Sequence, residues 1–198
     1  MVEINFNYLE DSALLKDDYT TSQRLKQLYE IDDYRDVLIN ARMLAENLCK
    51  QIFKIENLNP NYYVSTNEPH NLRSDTKYLR QNLDYPLLVF NLFDEIRRMG
   101  NEAVHDSKYQ VSKEQAWHVL CAINDIMVFL LNSNEGKNLN YLRPDMIMAS
   151  SDFKKRQIKQ VEIKQITNNN AEMAQQVLQK KKRRSWKKRK RLKIRYLS

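Results

Sequence analysis

The sequence predicts an all-α fold, a bundle of four or five helices, from three observations. Over residues 20–132 apolar side chains recur at spacings of three and four, which gathers them on one face of each successive helix. Capping residues stand at the starts of several of these runs. Glycine is scarce: Gly100 and Gly136 are the only 2 in 198 residues. That scarcity excludes two large classes of nucleotide enzyme. A P-loop needs a glycine-rich cradle followed by Lys and Ser/Thr, and a dinucleotide fold needs three closely spaced glycines. Gly136 is followed by Lys137 and Asn138.

Residues 1–19 read as an irregular N-terminal arm. Its lead, Ile4 to Leu9, alternates too briefly to choose between a strand and a packed extended segment. Thr20 or Thr21, with Gln23 three residues after Thr20, is the expected cap of a first helix carrying Leu25, Leu28 and Tyr29. Asp32 and Asp33 signal a second start. After them Tyr34, Val37, Leu38, Ala41, Leu44, Ala45, Leu48, Cys49, Ile52 and Phe53 form the strongest amphipathic helix, about 20 residues long. Residues 57–70, with Asn59-Pro60-Asn61 and Pro69, are a loop. A shorter helix over about 71–83 presents Leu72, Leu79 and Leu83. Pro86 then opens another, in which Leu87, Phe90, Phe93, Ile96 and Met99 are expected to be buried. Ser112 and Gln115 form a capping box for the last helix, which runs to about Asn132 and is apolar nearly all round.

Beyond Pro144 apolar residues thin out among Lys, Gln and Asn. The sequence therefore divides into the arm at 1–19, a helical domain at 20–145, a helical or coiled-coil-like extension at 146–179, and a basic tail at 180–198. Of 33 basic residues, 12 lie between Lys180 and Arg195 with no acid among them, leaving 21 basic against 25 acidic residues elsewhere. Such asymmetry points to a polyanionic partner, RNA or DNA. Lys180, Lys181, Lys182, Arg183, Arg184, Lys187, Lys188, Arg189, Lys190 and Arg191 would meet phosphates, and Trp186 would stack on bases. The alternative for this tail is a solvated terminus with no partner.

No apolar run is expected to reach the ~18 residues that span a bilayer. The N-terminus lacks the basic and apolar regions of a signal peptide. These features predict a cytoplasmic chain without a membrane partner. Cys49 and Cys121 sit in apolar helical patterns and read as buried thiols of a reducing compartment. No His/Cys/Asp/Glu cluster has ligand spacing, so neither a metal nor a cofactor is expected.

One stretch carries a chemical pattern. Arg98, Asn101 and His105 fall at helical spacing on one stripe, within two turns. A fixed cation, an amide and a titratable imidazole together can hold a phosphodiester and move a proton. Arg97 lies about 100° round the helix and is the alternative cation. A purely structural account is also open. Gly100 would then let another helix approach, and Asn101 and His105 would bond loop carbonyls at the helix end. His118, on the apolar last helix, reads as a core histidine with its bonds satisfied; His70 carries no signal.

The segment Asp36-Val37-Leu38-Ile39-Asn40-Ala41-Arg42-Met43-Leu44-Ala45-Glu46 resembles the Leu-x-x-Ala-Arg-x-x-x-Glu helix of the domain of unknown function 4145. Arg97-Arg98-Met99-Gly100-Asn101-Glu102-Ala103-Val104-His105 is similar to that family's signature, an arginine followed by Gly-Asn-x-Ala-x-His. The resemblance covers residues 3–145. It implies a HEPN-like helical bundle, as found at the N-terminus of restriction-enzyme R-type subunits and related helicases, where a coiled-coil linker follows. Active HEPN members are metal-independent ribonucleases whose arginine and histidine come together in a dimer. Carried over, His105 is the histidine and Arg98 the arginine, with six residues between. Met99 stands where the HEPN pattern has a polar residue; Arg97, followed by Arg98, meets that rule at one residue more. The resemblance thus leaves two functions open. One is a restriction or phage-defence module that dimerises or docks on a larger restriction or helicase subunit. The other is an endoribonuclease of a defence or toxin–antitoxin system, with an antitoxin as its partner.

Overall fold

The computed structural model describes residues 4–64, 70–106 and 108–143. The chain divides into two compact units, Met1–Phe153 and Lys154–Ser198, and every described residue belongs to the first. The expected extension at 146–179 and the basic tail lie outside the described residues. Within them are five α-helices and no strand: α1 (Tyr19–Glu30), α2 (Tyr34–Ile55), α3 (Leu72–Asn82), α4 (Leu87–His105) and α5 (Lys113–Asn134).

The longest amphipathic pattern becomes the centre of the bundle. α2 packs on α1, α3, α4 and α5. Its buried face includes Leu38, Ala41, Leu44, Leu48 and Ile52, all fully inaccessible, each large aliphatic contributing roughly 1.5–3 kcal/mol. Asp33 caps it by accepting from the Asp36 amide at 3.3 Å. Asp32 sits instead in the left-handed region, at φ 62°, in the turn between α1 and α2. Capping boxes begin α3, through Asn71 and Ser74, and α5, through Ser112 and Gln115.

α5 corrects the expectation about apolar runs. It is long and apolar enough to cross a membrane by length and composition, yet 78% of that window is buried inside the bundle. The central helix of a core passes the same test, because it is apolar all round for the same reason.

Three local expectations also change. α1 begins at Tyr19, not after Thr20 or Thr21, and Asp18 makes no side-chain cap. A 3-10 turn at Lys16–Asp18 runs straight into the helix, so no separate cap is needed. The arm is packed irregular chain with 3-10 turns rather than a strand: Phe6, Leu9 and Leu15 are fully buried. Leu87 is 52% exposed, because α4 begins beyond the edge of the core, and Met99 is half-buried.

Glu135 holds the arm down. Its Oε1 accepts from the Ser12 hydroxyl at 2.7 Å and the Leu14 amide at 2.8 Å. Gly136, at φ 68°, turns the chain after α5 in a conformation that disfavours other residues. Residues 139–143 then run back against α5. The Leu139 amide donates to Asn132 at 2.8 Å, and the Leu142 and Arg143 amides donate to the two oxygens of Asp125 at 2.7 and 3.0 Å.

Candidate functional site

Gly100 organises the region around the Arg98–His105 stripe. A Cβ at Gly100 would stand 2.6 Å from Arg42 Cβ and 3.1 Å from the Leu38 carbonyl oxygen. Only glycine lets α2 and α4 approach this closely, which accounts for its presence in a helix interior despite a cost of about 1 kcal/mol. The Arg42 stem lies over Gly100, and its Nη2 pairs with Glu46 at 3.1 Å. The seam therefore joins the two segments in which Arg42, Glu46 and Gly100 stood out by sequence.

The stripe lies outside that seam. Arg98 and His105 are exposed and Asn101 is half-buried. Among the described residues, none of the three makes a side-chain hydrogen bond or ion pair. Arg97 differs: its Nε pairs with Asp94 Oδ1 at 3.3 Å, one turn back on the same helix. His105 is the last residue of α4. The carbonyl that follows it, on Asp106, accepts from Arg35 Nη2 of α2 at 3.1 Å. The helix end is thus tied down by Arg35, and among the described residues Asn101 and His105 do not make the bonds expected of them in a structural role.

His118 overturns its expectation. Its side chain is 48% exposed rather than in the core, and its Nε2 is bonded to Glu95 Oε1 of α4. Glu95 Oε2 takes Arg143 Nη1 at 3.3 Å, and Arg143 Nη2 donates to the His118 carbonyl at 3.0 Å. Behind them Asp125 is fully buried. Besides the two amides already named, it accepts from Asn124 Nδ2 at 3.1 Å, and Tyr8 of the arm donates to Asn124 Oδ1 at 3.0 Å. Burial pushes the Asp125 carboxyl above its ordinary value, although the Leu142 amide, Asn124, the Arg143 amide and the Arg143 charge oppose this. Burial, then the Asp125 charge, raises Tyr8 as well. This polar network escapes sequence reading because its members come from four separate segments with no common spacing.

The two cysteines are free and buried. Burial pushes Cys49 well above its usual value and Cys121 up to about 11, with Asp125 adding to the rise at Cys121. At both positions burial favours the neutral thiol over the thiolate, the reverse of what activates a nucleophilic cysteine. Among the described residues no group of three or more His, Cys, Asp or Glu side chains is placed to hold a metal.

Comparison with family models, curated proteins and solved structures finds no match for this chain.

Proposed function

We propose that the protein is a helical, nucleic-acid-associated module of a restriction or phage-defence type system. Its body pairs with a second copy or docks on a larger enzyme, and its basic tail holds RNA or DNA. The observation that carries this reading is the separation of charge: 12 basic residues between Lys180 and Arg195, against 21 basic and 25 acidic in the rest of the chain. The net charge of the body is mildly negative, so the long-range attraction to polyanions comes from the tail. A chain ending at Gln179 should bind a short RNA or DNA duplex at least about tenfold more weakly at low salt, with a flatter dependence on salt, because fewer counterions are released. Equal affinity of the two chains would reject the tail as the contact.

A second reading, a metal-independent endoribonuclease, is favoured by one observation: Arg98 and His105 are exposed, Asn101 is half-buried between them, and none of the three makes a side-chain bond among the described residues. In this reading Arg98 holds the scissile phosphate and His105 moves a proton at the ribose 2′-oxygen or the leaving group. The product carries a 2′,3′-cyclic phosphate, and cleavage persists in EDTA. His105→Ala and Arg98→Ala should each lower the rate by about 10²–10⁴, with Arg97→Ala much milder because Arg97 is engaged by Asp94. Absence of cleavage by the wild-type chain over a panel of RNAs would leave the module reading alone.

A further inference from the structure

A cleft of about 830 Å³ opens between the C-terminal half of α2, the loop that follows it and the start of α3. That volume falls in the range of sites that enclose small molecules, roughly 300–1,000 Å³. It lies away from the Arg98–His105 stripe, and none of the stripe residues lines it.

Its lining includes an apolar floor and a positive edge. Phe53, Leu58 and Leu72 supply the floor. Phe53 is locked in an aromatic cluster, 5.8 Å from the Tyr62 ring, which itself stacks on Tyr78 at 4.0 Å. The floor is therefore rigid rather than adaptable. Two carboxylates also line the cleft and are bonded within the protein: Glu46 is offset by Arg42 at 3.1 Å, and Asp75, which keeps its charge, accepts from the Tyr62 hydroxyl at 2.8 Å. The two lysines of the lining, Lys50 and Lys54, therefore outnumber the one carboxylate without a cationic partner among the described residues. They stand four residues apart on α2, so both ammonium groups reach the same edge. Both are exposed, and neither makes an ion pair among the described residues.

The geometry points to a binding site for a small organic anion with a flat apolar body, its carboxylate, sulfonate or phosphate held between Lys50 and Lys54. The body covers the floor and sheds its hydration there. The anion meets two charges that make no ion pair among the described residues. A neutral molecule of the same shape gains only the first of these terms.

Anilinonaphthalene sulfonate serves as probe, and phenyl-naphthylamine, which has the same ring system without the anion, as its neutral control. In fluorescence titrations of the full chain at physiological salt, the sulfonate should bind saturably at one equivalent, about tenfold more tightly than the neutral compound. The Lys50→Gln/Lys54→Gln double variant should lose that tenfold preference and keep the wild-type melting temperature, since both lysines are exposed. The double variant also leaves the basic tail intact, so a sulfonate held by the tail would bind it as well as wild type. That result, or equal affinity of wild type for the two compounds, would overturn the assignment.

Discussion

Glu95 and Arg98 lie three residues apart on α4 and belong to regions of opposite kind. Glu95 is spent: one oxygen holds His118, the other Arg143, and through Arg143 the network reaches buried Asp125. Arg98 and its companions Asn101 and His105 make no side-chain bond among the described residues. Both regions are polar, both include a histidine, and both sit at the surface of the same bundle. The difference teaches that a side chain's exposure does not show whether it is structural; its commitments do. His118 is half-exposed and committed, whereas His105 is exposed and has no partner among the described residues.

The comparison breaks most visibly at Asp125. Asp125→Ala removes the acceptor for the Leu142 and Arg143 amides and for Asn124. Leaving such groups unsatisfied should cost roughly 2–4 kcal/mol in denaturant unfolding. A loss below about 0.5 kcal/mol would mean that residues 139–143 are not held on α5 as described.

A smaller effect is expected at Glu135, which extends the committed region to the arm. Burial acts to raise its carboxyl, but the Ser12 hydroxyl, the Leu14 amide and Lys137 outweigh that and hold it below its ordinary value of 4.5. A lowered folded-state value means that Glu135 adds stability above pH 4.5, and that this is lost as pH falls through the lowered value. Glu135→Gln should cost about 1 kcal/mol at neutral pH, from weakened charge-assisted bonds. Its melting temperature should converge on that of wild type as the medium is acidified. A constant gap from neutral to acid pH would show that the charge of Glu135 plays no part.

The smallest effect sharpens the comparison from the other side. His105→Ala should change unfolding free energy by less than about 0.5 kcal/mol, as for an exposed side chain with no partner among the described residues. A loss above about 1 kcal/mol would place His105 among the residues that hold the fold together, and would undercut any catalytic role for the stripe.

Much of the fold was legible in the chain order. Periodic apolar residues along α2 and α5, and caps at Asp33 and Ser112, locate those helices because helix periodicity and capping are local physics. The start of α1 was not legible: a 3-10 turn can lead into a helix without the side-chain cap that a sequence pattern detects. The stripe itself was legible, since Arg98, Asn101 and His105 share a face by spacing alone. Which groups of other segments meet them was not, and neither was Arg35 arriving from α2 to take the carbonyl after His105, because spacing along one helix says nothing of its neighbours.

By itself, then, the sequence determined which segments are helical, which face of each is apolar, and where the basic charge is concentrated. Those properties follow from residues a few positions apart, or from composition. Only the tertiary structure decided that the helix approaching Gly100 is α2, at Leu38 and Arg42, that His118 belongs to Glu95, and that Lys50 and Lys54 border an apolar cleft. Each of these depends on groups far apart in the chain, brought together by burial of the common core, and neither local spacing nor propensity encodes such pairings.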